Sequence, residues 1–427
     1  MWVRAFALSE GRHDAHETPN AGDHSLRKVF EDFPLLRRTV DGHPIIYLDS
    51  AATSLKPNAV IDAEANYARS LGANVHRGVS GLSSETTLNY ERARRRVASF
   101  INTDADLVVF TLNATFAMGM VAHGLPTGSG RRALVSSNSH HSNLLPWRER
   151  FDVQFVGSDP LSPLSVEEVC DAVERWRPDV LAINWVSNVN GSVNPVAQIC
   201  AAVRDLGVVT VVDAAQAIPH LKVNVAALQC DFLVFSGHKM LGPAGTGVLW
   251  GRREQLEQLR PLVLGGGTVA SVDLGGYELR PLPYRLEPGT PNIGGALGLA
   301  AAIDYLDSFE ENMLLEHQAS LSLEIENIFS SLRGVKIFGP FDGATHLPIV
   351  SLLSTVDGIS ADVLCRTISD SSSVMTRSGL HCAHPIFQHY RQMGGAVRIS
   401  AYLYNSPAEI RLAADALERA MHPFFGR

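Results

Sequence analysis

The chain has 427 residues, 45% of them hydrophobic and 19% charged, and a formal net charge of −8. That balance excludes a long disordered chain and describes an ordinary folded protein large enough for two packed domains. No lysine/arginine run stands out, so nucleic acid is not an expected partner.

Residues 1–28 are polar and read as an N-terminal extension that lacks the apolar stretch of a secretory signal. No apolar run is long enough to span a bilayer. A membrane is therefore not an expected partner, and the expected location is the cytoplasm. The five cysteines, Cys170, Cys200, Cys230, Cys365 and Cys382, are odd in number and form no CxxC pair. This argues against a disulfide framework and a zinc site, and no metal is expected.

From about residue 45 to 300, short β-rich runs alternate with longer helical stretches. The runs include IIYLDSAA (45–52), DLVVFT (106–111), RALVSS (132–137), VLAINWV (180–186), VVTVVDAA (208–215) and DFLVFS (231–236). Continuous apolar strands separated by helices imply a mainly parallel sheet covered on both faces. Ligands bind at the carboxyl ends of such strands, so the polar residues there are the candidates. Glycine-rich stretches at 264–271 and 287–298 follow. Residues 292–332 then read as helical for most of their length. Shorter strands and helices fill 335–420, with a last helix from about 407. The expected division is a large domain over 29–300, whose first residues could join its neighbour, and a smaller α/β domain over 301–427.

The segment 208–250 carries the most chemistry. Asp213 ends one apolar strand, and Ser236-Gly237-His238-Lys239 ends another. A lysine among small and polar groups can form a Schiff base, because burial and nearby positive charge lower its pKa. A carboxylate facing a pyridinium nitrogen preserves the electron sink of pyridoxal 5'-phosphate. A lone lysine at a strand end is ordinarily a surface residue. The aspartate and the S-G-H-K run after two apolar strands favour a cofactor-bearing lysine.

Cys382 lies in Arg377-Ser378-Gly379-Leu380-His381-Cys382-Ala383-His384-Pro385, where glycine and proline mark a loop. His381 and His384 flank the thiol, and nearby cations favour the nucleophilic thiolate. A flexible loop would let such a group reach inward and then present sulfur outward. The other four cysteines sit in apolar or helical contexts and read as buried small hydrophobes.

Taken together, YLDSAATSLKP, NVHRG, SNSHHSNLLPW, VSNVNGSVNP, VDAAQA, DFLVFSGHKMLGPAGTG, EPGTPNIGG, TRSGLHCAHP and VRISAYLYN resemble one family. It is the fold-type I, class V aminotransferase family, nearest its group II cysteine desulfurase/selenocysteine lyase branch. The resemblance runs from about residue 30 to the C-terminus. It implies an aspartate aminotransferase-like α/β fold with a mainly parallel seven-stranded sheet, pyridoxal phosphate as cofactor, and a homodimer.

The resemblance also implies roles for individual residues. Lys239 would bind the cofactor and move protons. Asp213 would meet the pyridine nitrogen and Gln216 the ring hydroxyl, with His140 stacked on the ring. Thr115, Ser236 and His238 would hold the phosphate, and Thr290 would reach the phosphate of the neighbouring subunit. Asn188 would lie near the substrate. Arg398 would clamp its α-carboxylate with support from Arg377, and Cys382 would receive the sulfur.

Three positions depart from the family pattern: Leu380 stands for a histidine, Ser80 for the histidine of an I-H-T run, and Ala114 for a hydroxyl residue. The implied activity is desulfuration of cysteine to alanine, with a persulfide on Cys382 passed to an acceptor, which could be a protein. Selenocysteine lyase and carbon–sulfur β-elimination activity stay open, and a non-catalytic sulfur carrier fits less well.

Overall fold

The computed structural model describes residues 29–40, 42–76, 78–126 and 130–425. The expected N-terminal extension and Arg77 of the HRG segment lie outside the described residues.

A seven-stranded sheet is the frame of the molecule. Its strands are β1 (Val108–Thr111), β2 (Arg132–Ser136), β3 (Asp152–Val156), β4 (Val180–Asn184), β5 (Val209–Asp213), β6 (Phe232–Ser236) and β7 (Gly247–Gly251). In space they run β1-β7-β6-β5-β4-β2-β3. Only β7 is antiparallel, pairing Gly247 with both Thr111 and Ser236. The central strands β4 and β6 are buried along their whole length. Branched apolar residues on both faces fit a sheet covered on both sides. Helix α1 (Ala114–Gly124) follows β1. Gly247 lets it start close to the sheet, because a Cβ there would stand 2.6 Å from the Cα of Asn113.

A second, four-stranded sheet is antiparallel throughout. It contains β8 (Val335–Ile337), β9 (Ile349–Ser354), β10 (Arg377–Gly379) and β11 (Ala396–Ser400), in the order β8-β9-β11-β10. Its own apolar cluster joins Val350, Leu352, Val397 and Ile399 to Leu321, Ile325, Leu364 and Leu417 on the covering helices. The helical stretch expected over 292–332 is two helices, α2 (Ile293–Asp307) and α3 (Glu311–Phe329). Helix α4 (His384–His389) follows the cysteine segment, and α5 (Pro407–Met421) is the last α-helix among the described residues.

The run at 45–52 differs from its reading as one of the alternating strands. Only Ile46–Tyr47 is extended there, paired in parallel with Val374–Met375 rather than with the large sheet. Asp49 then bridges to Ser400 at the end of β11. The apolar run fits a strand, but its partners come from the far end of the chain. This crossing brings Asp49, Ala51 and Ala52 to the junction of the two sheets.

Among the described residues no helix is long and apolar enough to cross a membrane.

Candidate active site

A cavity of about 650 Å³ opens where β4, β5 and β6 end. Asn184, Asp213 and Ser236 are the last residues of those strands, and all three line it. Parallel strands deliver their final side chains to one edge, which is where such sheets bind ligands.

Lys239 enters from a single helical turn, Gly237–Lys239, directly after β6. Its amine faces the cavity, while dense protein around it lowers the pKa to about 8. Burial is the chief cause; Arg398 adds to it, and Asp213 and Cys382 oppose it. Asp213 is buried, and one carboxylate oxygen accepts from the amide of Ala215 at 2.9 Å. Burial holds its carboxyl above the usual range, against that hydrogen bond and the charge of Lys239. A cation placed over it would bring the acid back to its charged form.

His140 caps the short turn His141–Asn143, its Nδ1 accepting from the amide of Ser142 at 3.0 Å. Burial first, then Lys239, His141 and Arg398, push its pKa down to about 3. The ring is therefore neutral, with its proton on Nε2. Gln216 donates to the carbonyl of Ala51 at 2.7 Å.

At the other end of the cavity, donors gather around the start of α1. Ser236 Oγ accepts from the amide of Ala114 at 2.8 Å, so its own hydrogen is available. Thr115 and Ser142 share one hydrogen bond of 2.7 Å, which leaves one hydroxyl hydrogen for a ligand. His238 stands beside them. Hydroxyls, an imidazole and a helix N-terminus form a donor set suited to a phosphate. The departure at Ala114 removes a hydroxyl, but its backbone amide still serves Ser236.

The two arginines lie on the second sheet, directly opposite each other across β10 and β11. Like charges so placed repel unless an anion intervenes. Asp49 is that anion, and sequence reasoning missed it. It accepts from Arg377 Nε at 3.1 Å and Nη2 at 2.8 Å, and from Arg398 Nη2 at 3.4 Å. Arg398 is 2% exposed, and Nη1 donates to the carbonyl of Asn188 at 3.0 Å. Its Nε is buried with no hydrogen-bond partner among the described residues. An orphaned guanidinium donor on the cavity wall is a place for a carboxylate.

Cys382 reaches the same cavity from a tight turn between β10 and α4, and it is the exposed cysteine of the five. His381 and Cys382 are consecutive left-handed residues, with φ of 50° and 54°. Such a pair is strained and must be held from outside. Asn188 Nδ2 donates to the carbonyl of His381 at 2.7 Å. The amide of His141 donates to the carbonyl of Cys382 at 2.8 Å. The expected flexible loop is thus a pinned turn.

The expected cation at His381 is also corrected. Burial foremost, and then both arginines, hold His381 well below its usual pKa. The side chain of His384 instead meets His141 Nε2 at 3.1 Å. The cationic groups within electrostatic reach of the thiol are Arg377, Arg398 and Lys239. The remaining cysteines are buried or half-buried, and burial pushes Cys200 up to about 12.

Lys239, Asp213, Gln216, His140, Thr115, Ser236, His238, Asn188, Arg377, Arg398 and Cys382 thus share one cavity. Thr290 does not. It is exposed and accepts from Asn74 at 3.3 Å. Asn184 is a further cavity residue that sequence reasoning passed over, held by Ser136 Oγ at 2.7 Å. Its position as the last residue of an apolar strand was the available signal. The other two departures have local roles: Leu380 packs on an apolar cluster with Phe387, and Ser80 caps a helix by accepting from the amide of Ser83.

The family model for aminotransferase class V matches residues 46–412. A protein of Streptomyces coelicolor named probable cysteine desulfurase is 37% identical over 412 residues, covering 93% of this chain and 97% of its own. The solved apo structure of cysteine desulfurase from Thermococcus onnurineus superposes with a TM-score of 0.86 at 35% identity, covering 93% of this chain and 98% of its own. The cysteine desulfurase CsdA from Escherichia coli superposes with a TM-score of 0.82 at 29% identity, covering 94% and 99%. With a matching fold, a single shared cavity and agreement along nearly its whole length, the chain belongs to the aminotransferase class V family.

Proposed function

We propose that this chain is a pyridoxal phosphate-dependent cysteine desulfurase. It converts L-cysteine to L-alanine, and the sulfur leaves as a persulfide on Cys382. The observation that carries the reading is one cavity that joins a cavity-facing amine of lowered pKa, a buried acid and an exposed thiol. Names of relatives alike over nearly the full length support it.

The residues fit the cofactor: Lys239 to hold the aldehyde, Asp213 the ring nitrogen, Gln216 the ring hydroxyl and His140 a ring face. Ser236, Thr115 and His238 suit the phosphate. When bound, the cofactor supplies an electron sink that makes the substrate α-proton labile and weakens the Cβ–S bond.

Arg398 offers Nε and Nη2 to the substrate α-carboxylate, and Asp49 and Asn188 hold its guanidinium still. Lys239, neutral for part of the time near pH 8, takes the α-proton and can return one to carbon. Neutral His140 offers a proton at Nε2 toward the substrate. The Cys382 thiolate attacks the substrate sulfur: the S–S bond forms, the Cβ–S bond breaks, and protonation of the carbon gives alanine. A second thiol, on a protein or a small molecule, then removes the outer sulfur.

Thr290, exposed and outside its own cavity, suits a homodimer in which it serves the partner's phosphate. The unpaired cysteines suit a reducing, cytoplasmic setting.

The test incubates the cofactor-loaded protein with cysteine and scores alanine against pyruvate. Alanine, lost in Cys382→Ala with the visible absorbance intact, is expected. Pyruvate, unaffected by that substitution, would replace this reading with β-elimination of a cysteine derivative.

A further inference from the structure

Behind the lysine turn lies a second lysine that the reaction outlined above does not use. Four donors converge on the carbonyl oxygen of His238, the residue before Lys239. They are the amide of Ser54 at 2.9 Å, Ser54 Oγ at 3.0 Å, Thr53 Oγ1 at 3.1 Å and Lys56 Nζ at 3.1 Å. Ser54 Oγ also accepts from the amide of Leu241 at 2.7 Å, so the 53–56 segment grips both sides of the turn.

A carbonyl oxygen has two lone pairs. Four donors share them here, and the ammonium of Lys56 is the strongest of the four. Lys56 is half-buried, and its other hydrogen bond ends on the carbonyl of Ser54. Burial lowers its pKa to about 8, against the pull of Glu64. An ammonium held in such surroundings costs free energy, and the place where it is spent is the peptide joining His238 to Lys239.

We propose that Lys56 is a positioning residue for the phosphate end of the cavity: it fixes the turn bearing His238 and Lys239 and supplies positive potential behind the phosphate. This rests on the cofactor reading above. An ammonium on a peptide oxygen polarises that peptide, so the N–H of Lys239 at its other end becomes a stronger donor. The charge also favours a phosphate dianion on the far side of His238. His238 lines the cavity, and burial, Lys239 and Lys56 together bring its pKa down to about 4. It therefore meets the phosphate as a neutral ring with one N–H.

The test titrates the full-length chain, freed of cofactor, with two ligands. Pyridoxine 5'-phosphate carries the phosphate but cannot condense with Lys239; pyridoxine lacks the phosphate. Lys56→Met is expected to weaken the phosphate ester about tenfold, while pyridoxine binding moves less than about twofold. Lys56→Arg, which keeps the charge, is expected to stay within about threefold of the unaltered chain. Lys56→Gln is expected to behave like Lys56→Met and replaces it if the methionine variant does not fold.

The inference is overturned if the methionine or glutamine variant binds the ester as tightly as the unaltered chain. It is equally overturned if both ligands weaken alike, or if the arginine variant is as weak as the methionine one. An unaltered chain that takes up neither the ester nor pyridoxal phosphate overturns the cofactor reading, and this inference with it.

Discussion

Asp49 accepts hydrogen bonds from Arg377 and from the buried Arg398, so one carboxylate holds two cations that face each other across a strand pair. Its charge leaves a net single positive charge among the three groups, which suits one substrate carboxylate. Asp49→Asn keeps an acceptor but removes that charge. The KM for cysteine is expected to rise about tenfold with kcat changed less than about threefold, because the loss falls on carboxylate positioning. Steady-state kinetics check this, and an unchanged KM would remove Asp49 from the substrate site.

The amine of Lys239 must be neutral to condense with an aldehyde. Its pKa is about 8, against 10.5 for an ordinary lysine. Uptake of pyridoxal phosphate by the cofactor-free protein is therefore expected to accelerate with pH through about 8 and then level off. Absorbance-detected mixing measures it, with Lys239→Ala as the colourless control. Acceleration continuing to pH 10 would contradict the lowered pKa.

One buried and two half-buried histidines predict acid sensitivity. Burial lowers His140 to about 3, and His220 and His238 to about 4. Above pH 6.5 folded and unfolded chains are both neutral at these sites. Below it the unfolded chain takes up protons that the folded chain refuses, so stability is lost as pH falls from 6.5 toward 4. His220, 7% exposed and bonded to Gln318 at 2.9 Å, contributes about 3 kcal/mol of that loss. Melting curves should decline through this window, less steeply in His220→Asn. Parallel curves for the two proteins would count against it.

Asn188 ties the strained turn at His381 to the guanidinium of Arg398. Asn188→Ala removes the side-chain amide that pins the turn and keeps the backbone carbonyl that holds Arg398. The expected outcome is persulfide formation on Cys382 slowed by about tenfold or more, with the absorbance of the bound cofactor unchanged. Single-turnover labelling of the thiol, beside a spectrum, separates the two. Equal rates would show that α4 and His141 suffice to aim the cysteine.

Much of the fold was legible locally. Runs of Val, Ile and Leu ending in Asp213, Ser236 or Thr111 identify buried parallel strands because both faces of such a strand must be apolar. Polar residues at their ends then mark the ligand edge. Lys239 and Cys382 stood out because a lysine after a buried strand and a cysteine between glycine and proline are unusual neighbours. Asp49 did not stand out: its partner Arg377 is 328 residues away, and nothing near Asp49 in the sequence announces an arginine pair. The role of Lys56 was hidden for the same reason, since its acceptor lies 182 residues downstream.

By itself the sequence determined the strand and helix alternation, the residue types able to do the chemistry, and their order along the chain. These depend on short-range periodicity and on side-chain identity. Tertiary structure decided which charges balance, which histidines are neutral and what holds the thiol turn. Those properties depend on solvent exclusion and on distances between segments remote in the chain. Both arise only when the 45–56 segment crosses to meet the second sheet and the lysine turn.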